Sequence, residues 1–581
     1  MKRLLAVACL LALAGCGLPL PGGVKTRGGV VGVQQKPRDI RVLPPGPRDN
    51  ASAVQEVRDF FGAQSSPDDR HASARAFLAP GLQQTWDDTS PVSVFSGDLG
   101  VAAGSGPGIV QVSADIVGRI GNDGSYRLDR VPFAATVHAT RTSTGRWVLT
   151  SVPDGLLLST ADRDRSFRPR NVYFLAAPTG RPPAPSHLVA DPVFVPVTAD
   201  PADALVRRLL AGPSSLLGNS VSTAFPARTT LEKPVDSAAS GLVTVDLSDQ
   251  VRSAPPSVKE RISAQLVWTL KGIPTFSKLR LRSGGKDVAL GSTDSAALQD
   301  RNDWDSYNPD RLPDRAPAYY LSGRRLLSLD EDAAGVPKSG RIARPPIDLA
   351  AASPDGQRLA VVTRTATGAE LRTGAIDGEA FTLRQRGPQL SFLSWGSGEQ
   401  GVWFLMGNRV MLAPDAGPPH EVPVGNVDRF GPITGLRVSR DGARVGLIAG
   451  TGSSASLLVG RITFDQGAPR IVGLRSVAPD VHAVLDLAWD SATSLVVLGT
   501  QAKLAAAIRV AVDGSSVALV VRVTLVGAAL QSIAAAPGRP LVVGALVDRQ
   551  APLVGQQPAL FRDNGQFYAG EGPGYAPFYP G

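Results

Sequence analysis

The apolar positions of this chain change their period several times, and those changes divide it. An unbroken apolar run covers residues 4–13, and no period is sustained from Gly17 to Asn50. Val54, Val57, Phe60 and Phe61 then share one helical face, followed by Ala74, Phe77 and Leu78. Alternation takes over at 110–120, 131–140 and 146–152, with Gly121-Asn122-Asp123-Gly124 and Thr144-Gly145 as turns. Residues 51–165 are therefore expected to form an α+β domain, two helices followed by an antiparallel sheet. Phe60, Phe61, Phe77 and Trp86 are assigned to its core.

The next stretch, 166–292, mixes both periods. Strands are expected at 171–176 and 188–197, then an amphipathic helix at 201–210. Gly212 and Pro213 end that helix, because glycine takes the C-terminal cap and proline cannot continue the ladder. Residues 243–248 alternate as a strand, and 258–270 form a second helix with Ile262, Leu266, Val267 and Leu270 inward. Strands at 278–281 and 288–290 would close the sheet. Asp246 and Ser248 read as a polar strand end, and Gly284-Gly285-Lys286-Asp287 as a strand-to-strand turn rather than a phosphate loop. Residues 293–315 interleave Asp300, Asp303, Asp305 and Asp310 with Arg301, Arg311 and Arg315, which reads as a solvated linker. A calcium loop would need a central glycine and a terminal glutamate that this segment lacks.

Residues 316–581 contain a repeat. Ser353-Pro354-Asp355-Gly356 and Ser439-Arg440-Asp441-Gly442 each follow one apolar stretch and precede another in the same register. Weaker copies centre on Trp395, Trp489 and Ala535, giving spacings in the forties to fifty. That period, with short strands and a turn between the first two of each unit, predicts a β-propeller of five or six blades. Leu321-Ser322-Gly323-Arg324-Arg325-Leu326 mirrors Leu405-Met406-Gly407-Asn408-Arg409-Val410, so a blade hairpin is expected at 318–330. It is expected to close the ring with strands near the Asn564-Gly565 turn, between Phe561 and Phe567-Tyr568.

Composition removes several classes of function. Cys9 and Cys16 are the only cysteines of the 581 residues, so a disulfide scaffold is excluded. The five histidines, at 71, 138, 187, 420 and 482, allow no Cys/His metal spacing, and no metal or cofactor is expected. The net charge of +9 comes mostly from dispersed arginine, without the basic block or aromatic-interleaved helix of a nucleic-acid binder. No catalytic motif is present: no Gly-x-Ser-x-Gly elbow, no phosphate loop ending in Gly-Lys-Ser/Thr, no His-Glu-x-x-His helix.

The first residues carry the most specific signal. Met1-Lys2-Arg3 and the apolar run form an export signal too short to span roughly 30 Å of hydrocarbon. It ends in Leu13-Ala14-Gly15-Cys16, which resembles the bacterial lipobox. Residues 1–15 would be the signal peptide. Cys16 would carry S-diacylglyceryl and N-palmitoyl groups, and 16–50 would be a flexible tether. Several acyl chains together hold a protein firmly to a bilayer. The tether carries a local +4, a further weak attraction to anionic headgroups.

Tyr173-Phe174, Leu209-Leu210-Ala211-Gly212-Pro213, Phe225-Pro226, Val245-Asp246-Leu247-Ser248 and 266–270 together resemble the GerMN domain of germination and envelope proteins. The order of lipobox, α+β domain, GerMN-like domain and propeller resembles the LpqB lipoprotein family of actinobacteria over nearly the full chain. That resemblance implies a non-enzymatic lipoprotein, anchored on the extracytoplasmic face of the cell membrane. Its implied partner is a sensor histidine kinase of the MtrB type, whose two-component signalling and cell-envelope homeostasis it would modulate. The alternative is an envelope glycan-binding protein or hydrolase, since two carboxylates on separate loops suffice for that chemistry.

Overall fold

A computed structural model describes residues 46–67, 70–177, 187–198, 200–290, 298–314, 316–329, 346–397, 400–521, 528–548, 556–562 and 574–581. The expected signal peptide, Cys16, nearly all of the expected tether and the expected Asn564-Gly565 turn lie outside these residues.

The first region is built on the helix Ala53–Ala63, opened by Ser52, whose hydroxyl accepts from Gln55 N at 3.2 Å. Its Val57, Phe60 and Phe61 pack on a five-stranded sheet, and Phe77 and Trp86 join the same core. The second expected helix is not formed as such. Short helices, Ala72–Arg75 and Pro80–Thr85, flank a turn carrying Phe77 and Leu78, because Pro80 starts a new helix instead of extending the old one. The sheet has two strands that alternation did not reveal, Val92–Ala103 and Leu156–Ser159. These two pair in parallel, and the opening residues Val92–Phe95 are buried throughout, so no polar positions mark their period.

In the second region two sheets share one core with the helices Pro201–Leu210 and Pro256–Lys271. Leu242–Leu247 and Lys278–Ser283 run parallel, with Pro256–Lys271 crossing between them, a βαβ unit. Residues 288–290 are not a strand. Val288 is buried with its N–H bound to Leu281 O, and the strand added to the sheet is Leu298–Asp300.

That pairing corrects the solvated linker. Trp268 Nε1 donates to Trp304 O at 2.8 Å, Trp304 Nε1 to Gln299 Oε1 at 2.9 Å, and Lys271 Nζ to Asp305 Oδ1 at 2.7 Å. The aromatic surface of Trp304 and Tyr307 docks the segment on the preceding domain, outweighing the acids around it.

The described residues of the third region form six sheets, which settles the expected five or six blades at six. The first strands of successive sheets lie side by side around an axis. Strands sandwiched between blades lose their alternation, and Arg444–Ala449 is buried at every position. The hairpin Ala318–Ser322 with Arg325–Leu329 turns at Gly323-Arg324, both at positive φ (55° and 61°). The strand that completes its blade is Tyr575–Phe578, with Phe578 stacked on Tyr319 at 5.5 Å. The innermost strand of the closing blade thus comes from the far end of the chain, further along than the sequence pattern placed it.

The two Ser-x-Asp-Gly turns are built alike. Asp355 Oδ1 and Asp441 Oδ1 accept from the N–H groups of Gln357 and Ala443, each at 3.0 Å. Ser353 Oγ and Ser439 Oγ accept from Arg358 N and Arg444 N at 2.9 and 3.0 Å. Gly356 and Gly442 take φ of 69° and 68°, a region that a side chain disfavours. In two of the three weaker repeats tryptophan replaces the serine and reaches backwards. Trp395 Nε1 donates to Ala351 O at 2.8 Å and Trp489 Nε1 to Arg437 O at 3.0 Å, each two residues before the preceding blade's serine. These two degenerate units therefore add bonds that join one blade to the next.

Candidate functional site

One short loop touches all three regions. Asp200 caps the helix Pro201–Leu210, and Gly212 at φ 92° with Pro213 turns the chain out of it. The loop then presents Ser214 and Ser215. Ser214 donates through N and Oγ to the two oxygens of Asp191, at 2.6 and 2.7 Å. Ser215 N donates to Asp123 Oδ2 of the first region at 2.7 Å, and Arg461 Nη1 of the propeller donates to Ser215 O at 3.0 Å. Gly124 N lies in the same turn as Asp123, and Gly124 O accepts from Phe194 N at 2.8 Å.

Charge reinforces this junction. Burial by itself would raise the Asp123 carboxyl, but hydrogen bonds from the Ser125 hydroxyl and the Ser215 and Ser125 N–H groups hold it down to about 2. Asp191, fully buried, is pushed up by desolvation, against the pull of Ser214 and of the Arg444 and Arg208 guanidinium groups. Arg444, 2% exposed, crosses from the propeller to donate to Ala190 O at 2.5 Å, and lies 3.5 Å from Asp441. His187 Nε2 lies 3.0 Å from Asp441 O. Asp310, at the end of the docked connector, accepts from Ala492 N at 2.6 Å. Burial, with Asp441 and Asp490 adding to it, raises Asp310 to about 6. The exposed pair Arg130–Asp480 joins the first region to the propeller, and at such exposure contributes at most about 1 kcal/mol.

Residues singled out in the sequence are placed as follows. Asp246 accepts from Gly285 N at 3.0 Å, and Ser248 Oγ from Thr230 N at 3.0 Å, so both serve backbone groups of their own domain. Among the described residues no three His, Cys, Asp or Glu side chains are grouped to hold a metal, and no helix is long and apolar enough to cross a membrane. Asp191, Ser215, Arg444 and Arg461 carry no sequence motif. Asp123 had one signal, the Asn-Asp-Gly turn, which announces a bend without revealing what the carboxylate binds.

The described sequence families match in the same order as the three regions. "Lipoprotein LpqB, N-terminal domain" matches residues 46–164, "Sporulation and spore germination" 171–289, and "Lipoprotein LpqB beta-propeller domain" 325–552. Lipoprotein LpqB of Thermobifida fusca is 30% identical over 598 aligned positions, covering 93% of this chain and 94% of that protein. The chain belongs to the LpqB lipoprotein family. Lipoprotein LpqB of Streptomyces coelicolor is 28% identical, covering 99% of this chain and 97% of that protein, and that of Mycobacterium tuberculosis is 27% identical, covering 86% and 88%. Among solved structures, TolB from Acinetobacter baumannii is similar with a TM-score of 0.35 and 13% identity, covering 45% of this chain and 65% of its own, too loose a likeness to argue from. As an LpqB-family lipoprotein, the chain combines an N-terminal domain, a GerMN-like domain and a propeller.

Proposed function

We propose that this protein acts by contact, as a non-enzymatic accessory of a sensor histidine kinase of the MtrB type, on the extracytoplasmic face of the cell membrane. Lipid on Cys16 would anchor it after removal of residues 1–15. A tether of this length, to residue 50, would give about 30 Å of reach by random-coil scaling. Confinement of this kind raises the effective concentration next to other membrane proteins, so a modest interface is occupied. Residues 51–165, 166–292 and 316–581 would act as its three domains. The observation that carries the reading is the shared junction at Ser214 and Ser215, which holds surfaces from all three regions in one arrangement. A contact protein needs several surfaces held together more than it needs a deep pocket.

Deleting the gene should change the phosphorylation output of one kinase, measured on its response regulator. Full-length protein should restore that output, whereas Cys16→Ser and a version lacking 316–581 should not. If purified protein instead cleaves envelope glycan, and one Asp or Glu substitution abolishes both cleavage and complementation, the hydrolase reading replaces this one.

A further inference from the structure

The six innermost strands of the propeller line a partly open cavity of about 50 Å³ on the axis, at the end where the Ser-x-Asp-Gly turns lie. Two arginines line it, and they differ in how their charge is met. Arg437 donates to Leu393 O and Leu436 O at 3.3 and 3.1 Å and stands 3.6 Å from Asp486. Asp486 is itself held by the N–H groups of Leu487 and Ile533, each at 2.9 Å, so this charge pair is complete.

Arg440 has no such arrangement. It occupies the x position of the second Ser-x-Asp-Gly turn, whose hydrogen bonds fix its backbone. Its Nε and Nη1 are buried without any hydrogen-bond partner. Asp310 acts on it only through space, and Asp310 Oδ1 is already taken by Ala492 N. Burial draws the guanidinium down to about 10, which leaves it cationic at neutral pH. Arg440 as a whole is half-buried, yet two of its nitrogens are out of reach of water and of any protein acceptor, an arrangement that costs free energy unless something binds there. The space is adequate: one water needs roughly 10–15 Å³ on this measure, so the cavity holds several waters or one small polyatomic ion.

The roof of the cavity limits what can enter. Pro577–Gly581 crosses it, with Tyr579 OH donating to Pro540 O at 2.8 Å and Gly581 N to Ala352 O at 2.9 Å. Gly581 packs so closely that a Cβ there would fall 2.3 Å from Arg440 Nη1. With the strap across its mouth the cavity is small, about 50 Å³, which suits a free ion better than a side chain of another protein. Planar guanidinium N–H donors match carboxylate and phosphate oxygens in both geometry and charge.

We propose that this axial cavity binds one small free oxyanion of carboxylate or phosphate chemistry, held by Arg440 beneath the Pro577–Gly581 strap. The test is thermal unfolding of the full chain in detergent, with inorganic phosphate or acetate titrated against sodium chloride at equal ionic strength. The midpoint should rise saturably with at least one oxyanion, and which one responds identifies the source. Arg440→Met fills similar volume without the charge. It should match or exceed the wild type in chloride and show no oxyanion-dependent rise. A rise that persists in Arg440→Met, or a wild type indifferent to both oxyanions, overturns the proposal. Should Arg440→Met not fold, equilibrium dialysis of the wild type with labelled phosphate and labelled acetate decides. One ion per chain supports the site, and no retention of either overturns it.

Discussion

Replacing Asp123 by asparagine removes the charge from the junction while keeping the size of the side chain. The carboxylate accepts from Ser125 N at 3.0 Å, from Ser125 Oγ at 2.6 Å and, across the domain boundary, from Ser215 N at 2.7 Å. An amide can keep one acceptor toward Ser125 but turns an NH₂ group toward the Ser215 N–H, so the inter-domain bond is lost. The fall from 3.8 to about 2 measures how strongly the folded state prefers the ionised form. At 1.36 kcal/mol per pH unit, reduced for partial exposure, that preference is about 1–2 kcal/mol. Hydrogen exchange at the Ser215 amide reads it directly, and should accelerate by about 5–30-fold. The sign with pH follows from the depressed value. The stabilisation is complete above the unfolded pKa near 3.8 and is lost as pH falls through about 2, so wild type and Asp123→Asn should converge toward pH 2. If Asp123→Asn lowers overall stability while Ser215 exchange stays at the wild-type rate, the carboxylate serves only its own turn and the junction argument fails.

Two further outcomes test other parts of the structure. Gly442→Ala places a Cβ 2.4 Å from Ser397 Oγ in addition to its left-handed backbone, and should cost about 2–4 kcal/mol in denaturant unfolding; Gly356→Ala, whose Cβ would sit 3.3 Å from Pro313, should cost about 1 kcal/mol, and equal losses would show that the turns are not packed differently. Asp310 has a raised folded pKa of about 6, so its contribution is fully present below the unfolded value near 3.8 and is lost as pH rises through 6; Asp310→Asn, which keeps an acceptor for Ala492 N, should therefore be the more stable protein by about 2 kcal/mol at pH 7.5 and lose that advantage near pH 4.

Much of the fold was legible locally. The helix Pro201–Leu210 begins and ends where Asp200-Pro201 and Gly212-Pro213 place it, because caps and proline act within one turn of the residues that encode them. The Ser-x-Asp-Gly turns were legible for the same reason, since their hydrogen bonds span only two to five residues. Strands buried on both faces were harder. Val92–Ala103 opens without an alternating pattern, and the docking of Trp304 was hidden among charged neighbours. The proposed lipidation of Cys16 stands apart, because it rests on the residues just before it and on no part of the fold.

What the sequence determined by itself was the division into regions, the repeat that makes a propeller, and the signals that start and stop its elements. Tertiary structure alone decided which strand closes the ring, which loop joins the domains, and which of the described arginines keep buried nitrogens without a hydrogen-bond partner. His187 and Asp441 are 254 residues apart, Arg130 and Asp480 are 350 apart, and Tyr575–Phe578 meets Ala318–Ser322 from the opposite end of the propeller. Periodicity and capping act over a few residues and so leave a mark in the local sequence. A contact across hundreds of residues depends on where the whole chain has gone, and an arginine that meets a carboxylate there reads the same as one that meets water.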